Sequence, residues 1–220
     1  MKYEISGLNL PYVEITLNKG ETIHTERGAM SWMSETVEMK TNAGGSIGKA
    51  LSRALSGESI FQNTYTATKD GDIIGIASSF PGQILAFDVS KCPIIAQKRA
   101  FLAREDSVKM DIFFNKKLGA GFFGGEGFIM QKFSGSGIVF LEVDGSLIEK
   151  ELAQSETLIL NTGYLVAMTE GVTMDIVPVK GVGNVLFGGE GLFNTKVTGP
   201  GKLWIQSCPV YHLLSLFTAK

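Results

Sequence analysis

With 220 residues, 44% of them apolar and 19% charged, the chain is long enough to bury a sizeable core and too apolar to be disordered. A formal net charge of −2 removes any global electrostatic case for nucleic acid or an acidic membrane surface. Two cysteines, Cys92 and Cys208, make no disulfide framework and are expected to be reduced and structural.

Met1-Lys2-Tyr3-Glu4-Ile5-Ser6-Gly7 holds no apolar signal-peptide core. No run approaches the about 18 apolar residues of a membrane span. Tyr12-Val13-Glu14-Ile15-Thr16-Leu17 alternates apolar with polar, which predicts a strand wet on one face, and Asn18-Lys19-Gly20 predicts a turn. Val37-Glu38-Met39-Lys40 alternates again, with its methionine read as core filler. Residues 46–56 carry the one convincing helix pattern. Ser46 can cap its start and Gly57 end it, Ile47, Leu51, Ala54 and Leu55 share a face, and Lys49 and Arg53 lie on another. That helix reads as a lid on the sheet, or as a weak basic contact to a membrane or partner through Lys49 and Arg53. Farther on, Lys69-Asp70-Gly71-Asp72, Ser134-Gly135-Ser136-Gly137 and Thr198-Gly199-Pro200-Gly201 each divide two apolar runs and predict three β-hairpins. Leu213-Leu214-Ser215-Leu216-Phe217 reads as a last strand or docking tail.

These elements recur. Shifted by 64 residues, 108–137 falls on 172–201 without a gap, and fourteen of the thirty positions are identical. Average residue usage gives about two by chance. Phe123-Gly124-Gly125-Glu126-Gly127-Phe128 returns as Phe187-Gly188-Gly189-Glu190-Gly191-Leu192, and more loosely as Ser56-Gly57-Glu58-Ser59-Ile60-Phe61. Three β modules are expected, at 1–86, 87–150 and 151–220. Each is of marginal size alone, so they should pack on one another or on other copies.

Catalytic chemistry finds no clear carrier. Gly119-Ala120-Gly121-Phe122-Phe123-Gly124 fits the dinucleotide pattern by letter, but a strand and turns follow it where a helix is required. His24 and His212, with Cys92 and Cys208, lack the short spacing of structural zinc ligands. No nucleophile-elbow sequence accompanies the histidines. Glu58, Glu126 and Glu190 occupy three equivalent places after glycine. They could bind a cation or polar ligand, or accept hydrogen bonds from turn amides and brace the strand entry. Repetition favours bracing, because a catalytic pair needs two different environments.

The repeated Gly-Glu phrases, the segment from Gly20-Glu21-Thr22 to Gly28-Ala29-Met30, and Gly44-Gly45-Ser46-Ile47-Gly48-Lys49-Ala50-Leu51-Ser52-Arg53-Ala54-Leu55-Ser56-Gly57-Glu58-Ser59 together resemble the altered-inheritance-of-mitochondria (mitochondrial biogenesis) family over nearly the whole chain. The resemblance implies a fold like that of the tryptophan RNA-binding attenuation protein: a β-sandwich module, repeated within one chain, assembling into a trimer-like ring. Its mitochondrial members are associated with inner-membrane organisation. No Lys/Arg comb recurs across the modules, so no nucleic-acid partner is expected. The start of the chain almost directly on the fold, without an Arg-rich transit segment, suggests a bacterial, cytoplasmic setting. The expectation is therefore an all-β, triplicated sandwich protein with one short helix. It would have no cofactor or metal and act as a non-enzymatic scaffold or binding protein in a homotrimeric ring. The alternatives are a small-molecule or peptide binder using inter-module clefts, and an enzyme using the repeated glutamates.

Overall fold

A computed structural model describes residues 1–42, 62–116, 127–179 and 193–210. The first strand, β1 (Lys2–Ser6), is followed by three runs of six. The first run is β2 (Tyr12–Leu17), β3 (Thr22–Thr25), β4 (Met30–Met33), β5 (Val37–Asn42), β6 (Gln62–Ala67) and β7 (Asp72–Ala77). The second is β8 (Gly82–Asp88), β9 (Ile94–Gln97), β10 (Phe101–Glu105), β11 (Val108–Lys116), β12 (Phe128–Gly135) and β13 (Ile138–Asp144). The third is β14 (Leu147–Leu152), β15 (Thr157–Asn161), β16 (Leu165–Thr169), β17 (Thr173–Pro178), β18 (Phe193–Thr198) and β19 (Gly201–Gln206). The chain is all-β, as its alternating sequence predicts. The helix expected over 46–56 lies outside the described residues.

The pairing follows one scheme. In each run the last strand lies between the first and third (β2-β7-β4, β8-β13-β10, β14-β19-β16), and the fifth lies between the fourth and second. Each third strand slips register at the same place, between Met30 and Trp32, Phe101 and Ala103, and Leu165 and Ala167. A bulge kept at one position is a structural feature of the strand pair rather than a defect.

Neighbouring runs share sheets. β3 pairs with β10, and β9 with β16, so two six-stranded sheets each cross a run boundary. Strands at these boundaries bury both faces. Ile95, Leu165 and Met168 point into one core, while Ile94, Ala96, Val166 and Ala167 point into the next. Phe140 faces the first core, and its neighbours Val139 and Leu141 the middle one. This is why Ile94-Ile95-Ala96, Phe101-Leu102-Ala103, Val139-Phe140-Leu141 and Leu165-Val166-Ala167-Met168 read as unbroken apolar words instead of alternating ones.

Two expectations change. The three predicted hairpins are not hairpins: β6 and β7, β12 and β13, and β18 and β19 each lie in different sheets. Each turn is an arch that carries the chain from one layer of a sandwich to the other. At the first arch the Asp72 carboxylate, 4% exposed, accepts the Thr36 hydroxyl and the backbone N–H groups of Thr68 and Lys69, the latter two at 3.0 Å. The turn's donors are thus satisfied by a side chain rather than by a ladder between its arms. Met39 is not core filler: it is 46% exposed on edge strand β5, where Val37 takes the buried position.

The Thr36 hydroxyl, then burial opposing it, then the two N–H donors set the Asp72 carboxyl below its ordinary range. A lowered folded-state pKa contributes stability above the ordinary aspartate value of about 3.9, and that contribution is lost as pH falls through the folded value. Asp72→Ala should lower the melting temperature near neutral pH by several degrees, and the gap to the parent should close in strong acid. Thermal unfolding followed across pH checks this.

Candidate functional site

Glu142 and Asp144 stand two residues apart near the end of β13, so they project to the same side of the strand. They open on a cavity of about 280 Å³. All three runs close round it: Glu26 and Ser79 from the first, Gln97 through Ala100 from the second, and Gln206, Pro209 and Val210 from the third. Lys98, Arg99 and Ala100 form the single turn of 3-10 helix between β9 and β10.

Glu142 is held by neutral donors. The Ser79 backbone N–H reaches it at 2.8 Å, the Ser79 hydroxyl at 2.9 Å and the Ser78 hydroxyl at 3.0 Å. No described residue forms an ion pair with it. Burial pushes its carboxyl above the usual glutamate range against the pull of these donors, and the nearby Asp144 charge adds to the rise. Burial likewise pushes Asp144 up, opposed by the Val210 N–H at 2.9 Å and by the Arg99 charge. Gln206 is engaged at both ends: its Oε1 accepts the Asp144 N–H and its Nε2 donates to the Gly163 carbonyl, each at 2.9 Å. Gln97 differs. It is 4% exposed, lines the cavity, and its side-chain amide makes no hydrogen bond with the described residues. The arrangement can accept hydrogen bonds from a cation.

Glu58, Glu126, Glu190, Lys49, Arg53 and His212 all lie outside the described residues. Cys92 and Cys208 are free, the first exposed and the second half-buried. His24 braces the β3–β10 boundary, away from the cavity. Its Nδ1 meets the Thr64 hydroxyl at 3.1 Å and its Nε2 meets Asp106 at 2.7 Å. Burial pushes this imidazole below its ordinary range, against the bond to Asp106. Among the described residues no three of His, Cys, Asp and Glu gather as a metal site, and no helix is long and apolar enough to cross a membrane.

The profile of the mitochondrial biogenesis AIM24 family matches residues 3–208. The chain belongs to this family. An uncharacterized protein of Streptococcus pyogenes serotype M6 is 30% identical over 217 residues, covering 94% of this chain and 86% of its own length. A crystal structure of a Streptococcus pyogenes protein superposes with a TM-score of 0.83, covering 99% of this chain and 98% of that one. At 23% identity that likeness is one of fold.

Within this AIM24 chain, sequence reasoning looked to carboxylates that recur, and Glu142 does not recur. The common register slip aligns it with Ala77 in the first run and Gln206 in the third. That departure from the repeat was the available signal.

A raised folded-state pKa contributes stability below the ordinary glutamate value of about 4.3, lost as pH rises through the folded value. Glu142→Gln, which places here the residue found at the aligned position 206, should therefore raise the melting temperature by a few degrees at neutral and higher pH. The gain should vanish in acid. Melting curves of parent and variant over the same pH series check it.

Proposed function

We propose that the chain is a non-enzymatic scaffold that assembles with two further copies into a closed ring, each copy contributing three modules. The observation that carries this reading is a pair of strand edges that no described strand pairs with. At both run boundaries the second strand of one run pairs with the third strand of the next. Continuing the scheme, β15 at the end of its sheet would pair with β4, also at the end of its sheet, and within one chain they do not pair. Such a contact joins unlike surfaces head to tail, so it closes into a ring or runs on as a filament. Closure into a ring is what the resemblance to the tryptophan RNA-binding attenuation protein implies.

Exposure supports the same reading. Leu158-Ile159-Leu160 in β15 is an unbroken apolar word like those of the boundary strands, yet Ile159 is 50% exposed. Trp32 in β4 is 37% exposed. Exposed, unpaired edges of this kind are liabilities unless another strand covers them. Carrying over the register of Ala103 on Thr25 and Arg104 on His24 sets Trp32 of one copy against Leu160 of the next, and Met33 against Ile159.

Native mass spectrometry should find a trimer for the parent chain and a monomer for Ile159→Lys. Adding Met33→Asp to that variant should restore association through an opposite-charge cross-strand pair. A parent chain that remains monomeric overturns the reading.

A further inference from the structure

The cavity beside Glu142 is independent of the strand edges. It is small, near the bottom of the about 300–1,000 Å³ range of ligand pockets. Its polar side holds a carboxylate that meets three neutral donors and no cation among the described residues. Beside it the Gln97 side chain lines the cavity, and no described residue hydrogen-bonds its amide. Ala100, Pro209 and Val210 give the cavity an apolar patch, and Lys98 and Arg99 line it together with the carboxylates of Glu26 and Asp144. A buried carboxylate is costly unless an opposite charge and hydrogen bonds compensate it. Gln97 can accept one further N–H through its carbonyl oxygen.

We propose that this cavity binds a small organic ammonium ion, with the ammonium group donating to Glu142 and Gln97 and the alkyl part lying against Ala100, Pro209 and Val210. Arg99 acts on Asp144, while no described residue forms an ion pair with Glu142. A metal ion fits less well, because hard cations gather more oxygen ligands than this pair of groups offers. The site draws lining residues from all three runs of a single copy.

Isothermal titration calorimetry of the whole chain at mildly alkaline pH, with n-butylamine and 1,4-diaminobutane as probes, tests the proposal. Butanol and butyrate serve as neutral and anionic counterparts of the same size. At least one amine should bind saturably at one per chain, and the neutral and anionic probes should not. Loss of one charge-assisted hydrogen bond should weaken amine binding about tenfold or more in Glu142→Gln, and Gln97→Leu should weaken it as well. Glu4→Gln, at an exposed residue of β1, should leave it unchanged. Glu142→Gln is expected to fold more stably than the parent, so lost binding there cannot be lost folding. Its subunit number in native mass spectrometry should stay that of the parent, which separates this site from the ring. If neither amine saturates, or if Glu142→Gln binds as tightly as the parent, the proposal is wrong.

Discussion

Everything in this fold depends on β3 pairing with β10 and β9 with β16. A run of six short strands makes a small sandwich with little core of its own. By extending its sheet into the next run, each sandwich lends one face to a neighbour's core, and the boundary strands become buried on both sides. The pairing is antiparallel, so register is held strictly: a one-residue slip would exchange the faces of Ile94 and Ile95 and put the wrong set into each core. His24 reinforces the first of these boundaries through Thr64 and Asp106 on either side.

Much of this was legible in the chain, and the reason lies in periodicity. Val13, Ile15 and Leu17 are buried in strict alternation, as the sequence of β2 indicates. The boundary strands announce themselves by the opposite sign, a run of apolar residues with no polar partner face. What the chain conceals is which strands pair. Asp-Gly and Gly-x-Gly turns report that the backbone reverses, since glycines such as Gly71 and Gly137 adopt positive φ there. They do not report whether the arms lie side by side or face to face. At the second arch, an added Cβ on Gly137 would stand 2.2 Å from the Glu105 carboxylate, a contact with a residue on another strand that no local pattern encodes.

The cavity was less legible because it is a product of assembly. Glu26, Gln97, Glu142 and Gln206 are far apart in sequence, and each is unremarkable in its own neighbourhood. The register slips place Glu26 level with Gln97, and Glu142 level with Gln206, so two equivalent corners of the repeated frame meet at one cavity. Only after the sheets are joined do these four polar positions face one space.

Equivalence also explains why their differences matter. A repeated frame gives equivalent positions similar backbone surroundings, so a substitution among them isolates what the side chain itself is for. At one corner the third run holds Gln206, a neutral side chain whose two ends are both satisfied by backbone groups. The second run holds Glu142, whose charge is buried against hydroxyls and one amide. A neutral residue therefore meets the structural requirement of this position, and a carboxylate exceeds it at a cost in desolvation. Cores shed such costs when nothing depends on them, and buried ionisable groups with shifted pKa values collect where chemistry or recognition is done. In a chain built from copies of one plan, binding is better sought where the copies disagree.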